Sequence, residues 1–186
     1  MFYPVVDTFN VTNMANAFTN MSGIYSVGLL DTSKVTTMKE MFSGCTNLIT
    51  IPAFDVKEVT DMSYMFQGCT SLQSIPALDS IRATTMSYMF DGCTLINSIP
   101  TLITDAVTNM SYMFRGCTGL INADLRGFNF EYTTDLSSMF NNCSNLQTID
   151  FTGCDLSKVT SWIRFTTGCS ALTKVDFTNC KVGNSF

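Results

Sequence analysis

Eight cysteines and no histidine set the limits on what chemistry this chain can do. Without histidine, the commonest general base and the usual activator of a Cys or Ser nucleophile are missing. No Cys-x-x-Cys pair is present, so the cysteines do not read as zinc ligands, and no metal or cofactor is expected. Carboxylates are the remaining route to acid–base chemistry. The one ordered set is Asp124, Asp150 and Asp176, spaced 26 residues apart. Carboxylates stacked on neighbouring strands repel each other unless water, Lys174 or a cation lies between them. The plain reading is a solvated row; the functional one is a weak Ca²⁺ site or a contact for a basic ligand, with Thr148 beside it. The chain therefore reads as non-catalytic, and a hydrolase using the Asp row is a remote alternative.

The cysteines also carry the strongest pattern. Cys45, Cys69, Cys93 and Cys117 lie 24 residues apart, and Cys143 and Cys169 follow at intervals of 26. The first four close copies of Met-x-x-Met-Phe-x-Gly-Cys, from Met38, Met62, Met86 and Met110. A weaker copy begins at Met14 and drifted ones at Leu136 and Trp162. Such a period marks a solenoid, whose units bury their apolar faces against one another. Met21 takes the cysteine position in the first unit, so the position reads as apolar and buried, and the thiols as reduced. Helices packed side by side sit about 8–10 Å apart, whereas a disulfide needs Cα atoms within about 7 Å. Cys154 and Cys180, one unit apart beside the sheet, keep two readings: side chains bonded to loop backbone, or a disulfide.

Within one unit, residues 59–82, Asp61 is a competent N-cap, and Met62, Met65 and Phe66 have the i, i+3, i+4 spacing of one helix face. This predicts a helix of about two turns, ended by Gly68 in the left-handed conformation, with Asn20 and Asn142 as tolerable replacements for glycine at that position. Residues 146–156 and 172–182 read L-x-x-L-x-L-x-x-(N/C)-x-L, and Ile149 and Phe151 alternate with polar neighbours as in a half-buried strand. The expected fold is α/β: a right-handed leucine-rich-repeat solenoid of about seven strand–turn–short-helix units. Its parallel sheet would line the concave face, because helices take more room per unit, and that face, a rigid array of Thr, Ser, Asn and Asp, is the default binding site. Residues 1–10 read as an N-terminal cap, 11–182 as repeats and 183–186 as a tail, all one domain. Pro52, Pro76 and Pro100 take the place of the later aspartates and remove ladder donors, so that half of the sheet should be less regular. Tyr64, Tyr88 and Tyr112 should form a convex stripe, serving either as an interface anchor or as a shield between units.

These units resemble the BspA-like leucine-rich repeats of bacterial surface proteins, including the variety with a 26-residue period and a V-T-x-M-x-x-M-F-x-G-C-x-x-L signature. The resemblance runs from about Val11 to Val182. It implies a surface-exposed or secreted adhesin that binds host or matrix proteins. Similar repeats occur in phage-encoded proteins.

Charged residues make up only 13% of the chain, and Ser, Thr and Asn fill the polar positions, a composition that suits work outside the cell. A net charge of −5 with scattered Lys and Arg argues against nucleic acid. No run of 18 apolar residues occurs, so no membrane span is expected. Residues 1–7 lack a basic n-region and a long apolar run, so they do not read as a signal peptide. The expectation is a recognition or adhesion module for a protein or glycan, extracellular or on a cell surface. A phage virion structural or receptor-binding component is the alternative. The C-terminal unit, with Phe165 and Phe177, is expected to meet a second copy, a partner subunit or more of a longer polypeptide.

Overall fold

A computed structural model describes residues 7–185 of the chain. The expectation that Phe2 to Val5 fold across the first unit lies outside these residues.

Among the described residues none is helical. Where a helix was expected, the chain makes overlapping turns: Met65 N–H donates to Met62 O (3.3 Å), Gln67 N–H to Tyr64 O (3.1 Å) and Cys69 N–H to Phe66 O (3.0 Å). The N–H groups between these turns leave the unit altogether. Those of Met62, Tyr64, Phe66 and Gly68 donate to Thr85, Ser87, Met89 and Asp91 of the next unit, at 3.2, 2.9, 2.9 and 2.7 Å. A helix needs every interior N–H to reach back four residues, so sending alternate ones sideways forbids it. Successive turns gather positions i, i+3 and i+4 on one side much as a helix does, and Met62, Met65 and Phe66 are indeed buried.

The turns dictate their own backbone. A turn whose third residue has φ > 0 requires glycine or a strained substitute there. Gly68 is the third residue of the turn from Phe66 to Cys69, with φ of 69°. The positive φ expected at this column is present, but it serves a turn and not a helix end. Asp61 does not cap a helix either; its Oδ1 accepts from the Ser63 N–H at 2.8 Å and the Ser63 hydroxyl at 2.6 Å, an Asx-turn.

The opposite wall is sheet in part. Strand β1 (Asn122–Asp124), β2 (Thr148–Asp150), β3 (Asp155–Leu156), β4 (Lys174–Asp176) and β5 (Lys181–Val182) form two parallel sheets, ordered β1-β2-β4 and β3-β5. Strands are confined to the last units, as the proline column predicts: Pro52, Pro76 and Pro100 all lie outside strands. A thin parallel ladder on the turn side, from Asn13 through Thr37, Asp61, Thr85, Asn109 and Asp135 to Ser161, joins the whole stack.

Between the walls the Phe column stacks ring on ring, from Phe18 through Phe42, Phe66, Phe90 and Phe114 to Phe140, with centroids 5.2–5.7 Å apart. That spacing is close to the roughly 4.8 Å between strands, so the two walls advance at similar rates. The expected reason for curvature, bulky helices outside a sheet, is therefore absent.

The close rise also revises the thiol reasoning. Helix spacing does not hold the cysteines apart. Each thiol instead donates to the Phe carbonyl one unit back: Cys69 to Phe42 (3.1 Å), Cys93 to Phe66 (3.1 Å) and Cys117 to Phe90 (3.1 Å). Burial pushes the Cys69 thiol up to about 12, so little of it is reactive thiolate at neutral pH. Met21, at 48% exposure, does not share the buried setting of these cysteines. Cys154 and Cys180 likewise donate to the Leu125 and Phe151 carbonyls, at 3.6 and 2.7 Å.

The glycine column yields a graded prediction. A Cβ on Gly68 would have only ordinary contacts, 3.8 Å from Gly44, whereas one on Gly44 would collide with the Asn20 carboxamide. Gly68→Asn should thus be mild, since its amide would overlie Gly92 as Asn20 overlies Gly44. Gly68→Val puts a β-branched residue at positive φ and should cost about 1–2 kcal/mol or more. Gly68→Asn combined with Gly92→Asn should exceed the sum of the two single changes. Melting temperatures of the four variants check this; equal values for Gly68→Asn and Gly68→Val would refute the turn assignment.

Candidate functional site

Two surfaces carry the candidate residues. On the strand wall, parallel register places Asp124 opposite Asp150, and Asp150 opposite Asp176. Repulsion along this row is relieved by the chain's own cations. Arg126 donates to both Asp124 oxygens, at 2.9 and 2.6 Å, and its Nε lies 3.4 Å from Asp150. Lys174 lies 2.9 Å from Asp176. Each aspartate also accepts from the backbone N–H two residues on, at Arg126 (3.1 Å), Thr152 (2.8 Å) and Thr178 (3.0 Å). Thr148 donates its hydroxyl to Asn122 Oδ1 at 2.7 Å. Among the described residues no group of three or more acidic or thiol side chains is placed to hold a metal ion. The row is a partly neutralised ledge, three carboxylates against two cations. At its start, where the proline column gives way to aspartates, Ile99, Pro100, Asn122, Asp124, Arg126 and Phe128 help line a groove of about 560 Å³.

The second surface is on the turn wall. Tyr64, Tyr88 and Tyr112 stack face to face, with centroids 4.5 and 4.3 Å apart. All three sit at positive φ, of 59°, 58° and 60°, where a bulky side chain is a true outlier. Each is the third residue of a turn, held there by the ladder: Tyr88 N–H donates to Ser111 O at 3.0 Å and Met89 N–H to Met86 O at 3.2 Å. The rings are half-buried. Burial, then the neighbouring tyrosines, raise the Tyr88 hydroxyl above its ordinary value, so it remains a hydrogen-bond donor at neutral pH.

A polar line missed in the sequence runs beside these rings. Ser43, Gln67, Asp91 and Arg115 each precede the column glycine, 24 residues apart. The Gln67 amide donates to Asp91 Oδ2 at 3.0 Å, and Ser43 donates to Gln67 Oε1 at 3.4 Å. Arg115 grips buried Asp91 with Nε and Nη2, both at 2.7 Å. Its guanidinium carbon then lies 5.4 Å from the Tyr88 ring centre and 5.2 Å from that of Tyr112, within cation–π range. The shared spacing was the available signal; opposite charges on successive repeats at one column predict a pair. Arg126 leaves no repeat signal in the sequence, because Thr152 and Thr178 hold its position in the later units.

The strand row gives a pH prediction. Hydrogen bonds from Arg126 hold the Asp124 carboxyl down to about 2. Those from Thr178 and then Lys174 hold Asp176 well below the usual range. Because these folded-state values are lowered, the stabilisation they give is present above the ordinary carboxylate range. It is lost as pH falls from there towards about 2. In Arg126→Gln the Asp124 carboxyl should return towards the ordinary range while Asp176 stays low, as followed by carbon-detected NMR titration. An unmoved Asp124 midpoint would refute the assignment.

The family described as Mycoplasma protein of unknown function, DUF285, matches residues 5–101 and 71–179. A search of curated proteins finds no match. Among solved structures, the T. pallidum leucine-rich-repeat protein TpLRR is similar at 19% identity with a TM-score of 0.58, covering 90% of this chain and 74% of that one. A leucine-rich cell surface protein from Faecalibacterium prausnitzii is 17% identical with a TM-score of 0.29, covering 94% of this chain and 65% of that one. A leucine-rich-repeat protein from Bacteroides ovatus is 17% identical with a TM-score of 0.33, covering 90% and 58%. The parallel strands, the stacked turns and the TpLRR likeness agree on a leucine-rich-repeat solenoid. The chain belongs to the DUF285 family, a Mycoplasma group of BspA-like leucine-rich repeats.

Proposed function

We propose that this chain is a non-catalytic recognition and adhesion module. It binds a protein or glycan outside the cell or on its surface, through the tyrosine stripe of the turn wall. One observation carries the reading: three consecutive tyrosines occupy positive-φ sites that glycine or asparagine would fill with less strain. Strain of roughly 1–3 kcal/mol at such a residue persists only where the surrounding structure holds it, and strained residues cluster at functional sites. Ring edges and hydroxyls, repeated every 4.3–4.5 Å, give a rigid amphipathic strip of the kind that anchors interfaces. The Asp91–Arg115 pair sets a cation beside it, and Arg115 Nη1 keeps no hydrogen-bond partner among the described residues. The BspA-like repeat and the low charge content support an extracellular setting. The strand ledge of Asp124, Thr148, Asp150 and Asp176 is the secondary contact surface in this reading.

Replacing Tyr88 by Asn separates function from fold. Relief of the positive-φ strain, roughly 1–2 kcal/mol, offsets most of the two lost ring stacks, about 0.5–1.5 kcal/mol each, so the melting temperature should fall only modestly. Binding should weaken tenfold or more, and Arg115→Gln should act in the same direction. The measurement is a screen of the labelled chain on glycan arrays and immobilised extracellular-matrix proteins, followed by titration of any hit with each variant. Unchanged affinity in both variants, or a Tyr88→Asn protein that melts far earlier, would turn the stripe into a mere shield between units.

A further inference from the structure

We infer that the groove of the strand wall is a peptide site, which takes an extended segment of another protein as an added strand along β1. The groove lies within the stack, between the segment from Ile96 to Thr104 and that from Leu120 to Phe130. The two segments are equivalent: Val107 N–H closes a turn onto Thr104 O at 3.0 Å, as Thr133 N–H does onto Phe130 O at 3.0 Å. The second is two residues longer. It takes up the excess in the turn that Phe128 N–H closes onto Leu125 O at 2.9 Å.

The units touch on either side of the groove. A Cβ added to Gly119 would lie 2.6 Å from Thr94 O, and Asn129 N–H donates to Thr104 Oγ1 at 2.7 Å. Between these contacts, among the described residues, no hydrogen bond joins residues 97–103 to residues 121–128. The opening of about 560 Å³ falls within the roughly 300–1,000 Å³ of ligand clefts. One side of it is a sheet edge, since β1 stands first in the order β1-β2-β4. Leu125 N–H donates to Asp150 O at 2.9 Å, and Ile121 O accepts from Gln147 N–H at 2.8 Å, so the odd-numbered residues face β2. The backbone groups of Asn122 and Asp124 alternate to the other side, where both residues line the groove. Such an edge is a template for a further strand. The bordering unit cannot supply it, because Pro100 holds the position of Asp124 and has no N–H to give.

The side chains define the guest. Leu102 and Phe128 are buried and Ile99 and Pro100 half-buried, which gives an apolar floor for one aliphatic side chain. The backbone groups of Asn122 and Asp124 recur after roughly 6.6 Å, the repeat of alternate residues in any extended chain. Main-chain hydrogen bonds thus supply affinity, and the floor supplies selectivity. Outward-facing residues of the guest meet the ledge, where three carboxylates stand against two cations. The chain as a whole carries a net charge of −5. The guest is therefore an extended peptide in which aliphatic residues alternate with basic ones. The groove lies on the opposite wall from the tyrosine stripe and does not depend on it.

The test titrates the chain of 186 residues into a fluorescein-labelled, end-blocked peptide, Thr-Lys-Val-Lys-Val-Thr, followed by polarisation. Binding should saturate in the micromolar range. N-methylation of the four central residues keeps the peptide extended but removes its main-chain donors, and should weaken binding about tenfold or more. Exchanging its lysines for glutamates should also weaken binding. In the protein, saturating peptide should slow hydrogen exchange at the Asn122 and Asp124 amides. Ile99→Arg, which fills the floor, should abolish binding; where that variant melts early, exchange in the unmodified protein decides alone. Absence of saturation, equal affinity for the N-methylated peptide, or unchanged exchange at Asn122 and Asp124 would each overturn the inference. Equal peptide affinity in Tyr88→Asn shows that the groove acts apart from the stripe, while loss of peptide binding in that variant overturns the groove assignment.

Discussion

Everything in this molecule follows from where alternate backbone N–H groups of the turn wall find their acceptors. A buried N–H left without a partner costs on the order of 1–3 kcal/mol, so a segment as buried as Met62 to Cys69 must place all of them. Half are placed in turns and half in the next unit. That division fixes the rise per unit and, with it, what can stack: phenylalanines at 5.2–5.7 Å and tyrosines at 4.3–4.5 Å. It also brings each cysteine thiol of the turn-wall column to the Phe carbonyl of the unit before. A helix would have kept its hydrogen bonds to itself and set the units about twice as far apart. None of these columns could then have formed.

The same ladder explains how tyrosine survives at positive φ. A residue there is held from both sides, by its own N–H to the next unit and by the turn that closes over it. The local preference is overruled by bonds that would all have to break together. Asn16, Glu40, Ser138 and Arg164 fill the column elsewhere, so the geometry does not demand an aromatic ring. The three rings are adjacent, half-buried and flanked by an ion pair whose carboxylate is buried. Their mutual stacking at 4.3–4.5 Å is what sets these three units apart from the others in the column.

How much of this was legible depends on which physical signal was strong. The period, the Met, Phe and Cys columns and the positive φ at Gly68 were readable because each is a burial or backbone requirement repeated in register. The aspartate row was readable for the same reason, and its register is as expected. The helix was misread because i, i+3, i+4 spacing reports only that side chains share a face, and two overlapping turns satisfy it. Hydrogen bonds between units leave no mark on composition. The Asp91–Arg115 grip was hidden because it joins residues 24 apart that look unrelated until aligned by repeat. The reason for expecting curvature was helix width, and that reason goes with the helix.

The two candidate surfaces also divide along the stack, and the cause lies in the length of the units. In the 24-residue units a proline occupies the position of the later aspartates. It can neither donate to a ladder nor close an Asx-turn through its side chain. Units of 26 residues have room for an aspartate whose carboxylate captures the N–H two residues on, and strands form there. The tyrosine stripe belongs to the shorter units, with glycine columns and an irregular opposite wall; the charged ledge belongs to the longer ones. They overlap where Tyr112 and Asp124 share a unit, beside the groove at Pro100 and Phe128. A ligand touching both surfaces must cross the stack there, and one that touches only the stripe has no reason to sense charge on the ledge.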